Sequence, residues 1–270
     1  MPTNPATTAS IPTDAGELHV STVGSGPPAL LWHSMLIDSR QWDRVRDRLG
    51  AHRTLVLVDG PGHGRSGRPP HGTDLDTCAA AAVQVLDALG SADVDWVGNA
   101  WGGHVGLAFA ARHPDRVRTL TAVAAPPTPL PPAQHKRIAL LVAAYKVTGA
   151  ARPLRAAVQA SLLSPATRAD DPAAVQLVAD AFAGADRTGL HRVMTAMMLE
   201  RPDLSERLPR ITAPTLFVAG GEDPIWSPER AAAAAAAMPR GTSAAIAGAG
   251  HLPPLESPEA FAEQVLRLWG

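Results

Sequence analysis

The chain has 270 residues, 46% of them hydrophobic, and a formal net charge of −1 at pH 7. That length and apolar content suit one large core with room for an inserted subdomain. With no run of Lys or Arg, neither nucleic acid nor an anionic membrane has an electrostatic footing as a partner. The single cysteine, Cys78, excludes an internal disulfide, suits a reducing compartment and reads as a small core residue. Residues 1–10 lack a basic and then apolar signal pattern and read as a disordered leader. No apolar run approaches the ~20 residues that span a bilayer, so the expected location is cytoplasmic. Residues 17–23 alternate polar and apolar as a half-buried strand does, and Gly24-Ser25-Gly26-Pro27 turns the chain. Residues 29–32 form a continuous apolar strand leading into His33, residues 40–49 a charged helix, and residues 54–58 a buried strand ending at Asp59. Residues 75–89 have helical spacing closed by Gly90. Residues 94–97 and 117–123 are strands, with a helix over 103–111 between them.

The proline-rich stretch from Pro126 to Pro132 breaks this alternation, because proline removes donors and fixes φ. From 133 to 204 only helical patterns occur, interrupted near Gly149, Pro165, Pro172 and Gly184-Ala185. Strand patterns resume at 215–219 and 243–246, separated by an alanine-rich helix opened by Ser227-Pro228. Alternating strands and helices predict an α/β fold, a mostly parallel sheet covered by helices on both faces. The predicted core is 11–132 and 205–270, with 133–204 a helical lid insertion.

Four segments carry the chemistry. Gly98-Asn99-Ala100-Trp101-Gly102 lies between a short strand and a helix, the context of the sharp G-x-S-x-G turn that exposes a nucleophilic serine. Here the central residue is alanine, with no oxygen or sulfur to attack anything. Leu31-Trp32-His33-Ser34-Met35 follows a buried strand, and Asp59-Gly60-Pro61-Gly62-His63-Gly64-Arg65-Ser66 follows the next. Gly220-Gly221-Glu222-Asp223-Pro224 and then Gly248-Ala249-Gly250-His251 supply an acid and a histidine at strand ends. Taken singly, Asp223 reads as a turn former and His251 as a turn histidine. In this order, the four segments together resemble the α/β-hydrolase superfamily, and the resemblance covers the chain after about Ile11.

The resemblance implies an α/β-hydrolase fold and a site in which His251, oriented by Asp223, is a base beside the nucleophile position Ala100. It also implies an oxyanion hole of backbone N–H groups from Met35 and Trp101, which does not depend on side-chain identity. His33, Ser34 and Trp101 are the expected substrate contacts. A tryptophan after the nucleophile resembles the epoxide-hydrolase and haloalkane-dehalogenase branches, but those carry aspartate where this chain has Ala100. The Asp59–Ser66 loop reads as structural. His33, His63 and His104 fall in three separate places without ligand spacing, so no metal is expected, and no glycine pattern supports a nucleotide cofactor.

Loss of a triad serine costs about 10⁶ in rate, which an ordinary acyl-enzyme esterase cannot absorb. Three readings follow. The dyad activates water or moves a proton on the substrate; or a serine hydrolase has been disabled by a serine-to-alanine change; or the scaffold binds a small molecule without turning it over. Ser34 as a replacement nucleophile is a fourth. The expected activity is hydrolysis of a small ester, lactone, epoxide or activated carbonyl compound, with Leu140, Leu141, Tyr145, Met194, Met197 and Met198 of the lid as candidate pocket lining or lid packing. Neither the particular substrate nor the oligomeric state is legible.

Overall fold

Eight strands form one sheet in the order β1-β2-β4-β3-β5-β6-β7-β8 in the computed structural model, which describes residues 7–270. The strands are β1 (Thr7–Thr13), β2 (Gly16–Gly24), β3 (Pro28–Trp32), β4 (Thr54–Val58), β5 (Val94–Asn99), β6 (Val117–Val123), β7 (Thr215–Gly220) and β8 (Gly241–Ile246). From β4 onward every pairing is parallel, while β1 and β2 run antiparallel to their neighbours. The expected leader over 1–10 is corrected at its second half: residues 7–10 belong to β1, which pairs Thr7 with Thr22 and Thr13 with Gly16. Residues 1–6 lie outside the described residues. The polar face of β1 is mostly exposed, as an edge strand's is, which explains why its sequence resembles a solvated segment.

Alternation along the central strands sends successive side chains to opposite faces. Leu30, Trp32, Val56, Val58 and Trp96 enter one core, with α2 (Leu75–Ala88) and α3 (Trp101–Arg112) over it. On the other face Ala29, Leu31, Leu55, Leu57 and Val97 pack with Trp42, Phe261, Val265 and Trp269. That face is covered by α1 (Arg46–Gly50) and by the C-terminal helix Pro258–Trp269. The predicted helix over 40–49 is broken. A 3-10 turn, Ser39–Trp42, precedes α1 and is capped by the Asp38 carboxylate on the Arg40 amide. Cys78 is fully buried in the first core.

Between β6 and β7 the chain is helical: α4 (Pro132–Thr148), α5 (Arg152–Leu162), α6 (Pro165–Asp170), α7 (Pro172–Gly184) and α8 (Arg187–Met194). A wide π turn, Thr195–Leu199, follows, closed by the Glu200 amide on the Thr195 carbonyl. Prolines at the first position of α4, α6 and α7 and at the second of α5 start these helices without forfeiting a bonded N–H. The helical segment is tied to the sheet domain by Arg44 on Asp171, Arg68 on Asp186 and the Ser164 amide on Glu256 Oε2 at 2.7 Å. After β7 come α9 (Pro228–Ala236), α10 (Pro253–Glu256) and α11 (Pro258–Trp269). No helix among the described residues is long and apolar enough to cross a membrane.

Candidate active site

The carboxyl ends of β3, β5, β6, β7 and β8 converge beside the helical segment, where parallel-sheet proteins place their sites. Ala100 makes the corner between β5 and α3 at φ 48° and ψ −105°, a left-handed conformation that costs a non-glycine residue about 1–3 kcal/mol. The corner is held by the Ala100 amide on the Val123 carbonyl at 2.7 Å and by glycines where the backbones touch. A Cβ at Gly98 would lie 2.1 Å from the Gly102 carbonyl oxygen, and one at Gly102 would lie 1.9 Å from that of Trp32. Only hydrogen fits at either position. Ala124, at the end of β6, is left-handed too, at φ 49°, and lines the same cavity.

His251 follows β8 and donates from Nδ1 to Asp223 Oδ2 at 2.8 Å, both side chains being buried. Asp223 follows β7, and its other oxygen accepts from the Ile225 amide at 2.8 Å, which fixes the carboxylate's rotation. With Nδ1 committed, neutral His251 carries its lone pair on Nε2, which has no protein partner among the described residues. Burial acts against the imidazolium, but the charge and hydrogen bond of Asp223, with Glu256 behind them, outweigh it and hold His251 above its ordinary value of 6.5.

Three side chains that the sequence did not mark position this histidine. The Glu256 carboxylate gathers the amides of Gly250, Leu252 and Ser164 at 3.0, 3.1 and 2.7 Å, so it ties both flanks of His251 to the helical segment. Asn99 Nδ2 donates to the His251 carbonyl at 3.1 Å, and Gln41 Nε2 donates to Asn99 Oδ1 at 3.4 Å. Gln41 Oε1 accepts in turn from the Ser34 amide at 2.9 Å. This buried amide chain links the loop after β3 to the histidine loop. Nothing local marks these residues, since their partners lie 7, 58 and 152 positions away.

On that first loop the amides flanking Met35 are both engaged, Ser34 by Gln41 and Leu36 by His63 Nε2 at 3.3 Å. The Met35 amide, and that of Trp101 at the start of α3, have no protein acceptor among the described residues. Met35, Trp101, Ala100, Ser34 and His251 all line one cavity of about 110 Å³. His33 does not, contrary to the expectation that it contacts substrate. Its Nδ1 donates to the Ser34 carbonyl at 2.7 Å and its Nε2 accepts from the Gly60 amide at 2.8 Å, so both nitrogens are spent on backbone. Burial lowers its pKa despite nearby Asp59. His63 is likewise structural, with Nδ1 donating to the Pro61 carbonyl at 3.0 Å. Asp59 accepts from the Ser39 and Arg65 amides, as the structural reading of its loop expects.

Trp101 both lines the cavity and packs among Trp32, His33 and His63 at 5.0–5.6 Å between ring centroids. The Ser34 hydroxyl donates to the Met35 carbonyl at 3.4 Å. Of the apolar residues singled out between 133 and 204, Met197 and Met198 line the cavity. Tyr145 instead packs against Phe182 in a tilted pair at 5.1 Å, Met194 and Leu141 pack in the core, and Leu140 faces solvent. Among the cavity residues unmarked by sequence are Arg201, and His104 as a wall residue, whose Nε2 donates to the Pro126 carbonyl at 3.0 Å.

The comparisons with known proteins agree with this geometry. The profile described as "Alpha/beta hydrolase family" matches residues 24–264. A pimeloyl-[acyl-carrier protein] methyl ester esterase of Xanthomonas oryzae pv. oryzae is 28% identical over 269 residues, spanning 93% of this chain and 98% of that protein. A thermophilic esterase from Thermogutta terrifontis superposes at a TM-score of 0.88 with 27% identity, covering 97% of each chain. The enol-lactonase from Burkholderia xenovorans LB400 superposes at 0.87 over 97% of this chain and 99% of its own, and at 23% identity it speaks for the fold alone. Profile, sheet order and relatives coincide: the chain is a hydrolase and belongs to the alpha/beta hydrolase family.

Proposed function

We propose that this chain hydrolyses a small ester or lactone by general-base catalysis, without a covalent acyl-enzyme. The observation that carries the reading is the His251–Asp223 pair at 2.8 Å, opening on the same cavity as Ala100 and the unengaged amides of Met35 and Trp101. In this mechanism His251 Nε2 takes a proton from water as the water oxygen bonds to the substrate carbonyl carbon. The carbonyl electron pair moves onto oxygen, where the Met35 and Trp101 amides stabilise it. The carbon–oxygen bond to the alcohol portion then breaks, and the imidazolium returns its proton to the departing oxygen, giving acid and alcohol. Asp223 holds the ring and stabilises its charged form without taking the proton. Ala100 leaves room for the water where a serine oxygen would stand. Helices α4 and α5 and the π turn act as the lid, and the ligand is a small molecule.

The test combines two substitutions with nitrophenyl acetate and butyrate as substrates. Slow turnover by the unmodified chain, lowered by about 10²–10⁴ in His251→Ala and free of any acyl adduct by mass spectrometry, is the expected result. Ala100→Ser puts a hydroxyl at the corner and should add a burst of nitrophenol. Equal turnover in His251→Ala overturns the proposal. An inert parent with a vigorous Ala100→Ser variant identifies the chain as a disabled serine hydrolase, and an inert pair leaves ligand binding as the account.

A further inference from the structure

Arg201 stands two residues beyond the π turn, whose wide register brings Met197 and Met198 to the cavity wall just before it. Such turns concentrate at functional sites, because they re-aim side chains at the cost of weaker helix geometry. The Arg201 side chain is half-buried and lines the cavity, yet no carboxylate lies within ion-pair distance of it among the described residues. Two of its five N–H groups donate to backbone carbonyls, Nη1 to Pro127 at 3.3 Å and Nη2 to Thr128 at 2.7 Å. Both acceptors belong to the proline-rich connector, so the guanidinium is anchored in orientation while its remaining donors are unspent. Glu200, the adjacent acid, lines a different cavity, and Asp203, two residues on, turns to the Ser205 amide at 2.8 Å.

The cavity wall holds no Asp or Glu among the described residues, and its other titratable members are His251 and His104. Burial, together with the nearby Arg201 charge, pushes His104 well below its ordinary value, so it is neutral and does not compete as a cation. Burial also draws Arg201 down to about 10, which leaves it charged at neutral pH but poorly solvated. The Asp203 charge offsets only part of that burial, and a half-desolvated guanidinium is costly, so a planar two-oxygen anion both relieves the cost and matches its fork of donors. Most of the remaining wall, including Ile138 and Leu162, is apolar and would carry the hydrocarbon part of a ligand, with Gln134 and Ser161 as polar exceptions.

We propose that Arg201 is a specificity-determining residue that receives a carboxylate on the substrate, away from the bond that is cleaved. The substrate class is then the half-ester of a short dicarboxylic acid, or a lactone that carries a free carboxylate. The inference deepens the hydrolase reading and rests on it for the word substrate, but the anion subsite itself is independent of turnover.

The test is therefore an equilibrium one. Monomethyl succinate, glutarate and adipate are titrated calorimetrically into the intact chain beside their dimethyl esters, and the titrations are repeated with Arg201→Gln and Arg201→Lys. The unmodified chain should bind at least one monoester roughly 10- to 100-fold more tightly than its diester, the scale of a charge-assisted hydrogen-bonded pair. Arg201→Gln should abolish that preference, and Arg201→Lys should keep part of it. A chain without the preference, or an Arg201→Gln variant that loses melting temperature but keeps the preference, overturns the subsite and leaves Arg201 as a staple of the connector. Should Arg201→Gln fail to fold, the unmodified chain and Arg201→Lys still decide the matter, since a preference absent from the former, or undiminished in the latter, refutes the proposal. Preference without hydrolysis would refute the dyad mechanism and keep the subsite.

Discussion

In the proposed mechanism His251 is a base only in its neutral form, and the same contact that orients it also favours the charged form. Because Asp223 and Glu256 outweigh burial and raise its pKa above 6.5, hydrolysis should climb with pH through a midpoint above that value. Asp223→Asn removes the charge while still offering one oxygen, so the midpoint should move down and the maximal rate should fall. Rate profiles of the two forms from pH 5 to 9 test this, and a parent midpoint below 6.5 would contradict it. The stability linkage has the opposite sense. A raised folded-state value means that His251 contributes stability below about 6.5, lost as pH rises through its folded value. Asp223 and His251 were legible because each sits in a glycine-marked loop after a strand. Glu256, Asn99 and Gln41 were not, because each makes a hydrogen bond to a residue far off in the chain, Glu256 to Ser164, Asn99 to His251 and Gln41 to Asn99.

At the scale of elements, the β5–α3 corner is the most demanding feature. Gly102→Ala would drive a Cβ to 1.9 Å from the Trp32 carbonyl oxygen, a backbone atom that cannot swing aside. We expect a loss of several kcal/mol, on the order of the largest single-site effects, or no soluble protein. Gly184→Ala at the end of α7 meets nothing within 4 Å and serves as the control, expected to be neutral or slightly stabilising. Thermal melts of the two variants distinguish close backbone approach from a general intolerance of added methyl groups. Element prediction failed where tertiary partners decide. The helix expected over 40–49 opens because Asp38 caps a separate 3-10 turn and the Gln41 amide is drawn to Ser34 and Asn99. Helix α11 was overlooked although Phe261, Val265 and Trp269 recur every four residues along its buried face.

Across the whole molecule, buried histidines join the loops beneath the site. His63 is drawn from 6.5 to about 3, chiefly by burial and then by His33, and His33 is lowered as well. Both are neutral in the folded chain, whereas the unfolded chain protonates them near 6.5. Stability should thus fall as pH drops below 6.5, steadily toward 3, by a few kcal/mol on the order expected for such shifts. Urea denaturation from pH 7 to 4 measures the slope. His63→Asn, which cannot take up a proton, should flatten part of it while lowering stability at pH 7. An unchanged slope would assign acid sensitivity to other groups.

Periodicity and loop chemistry determined a good deal from sequence alone: the parallel core, the helical segment after the proline connector, and the order of Ala100, Asp223 and His251. These are local properties, because alternation, helical spacing and glycine-marked corners are written in adjacent residues. The edge strand Thr7–Thr13 escaped that reading because its exposed face carries the polar composition of a solvated tail. Only the tertiary structure decided which side chains share a cavity. It turned His33 inward to the backbone, sent Tyr145 to Phe182 rather than to the cavity, and brought Arg201 to the wall. Those outcomes depend on where separate segments meet in space, and that meeting is governed by packing of the whole chain rather than by any local pattern.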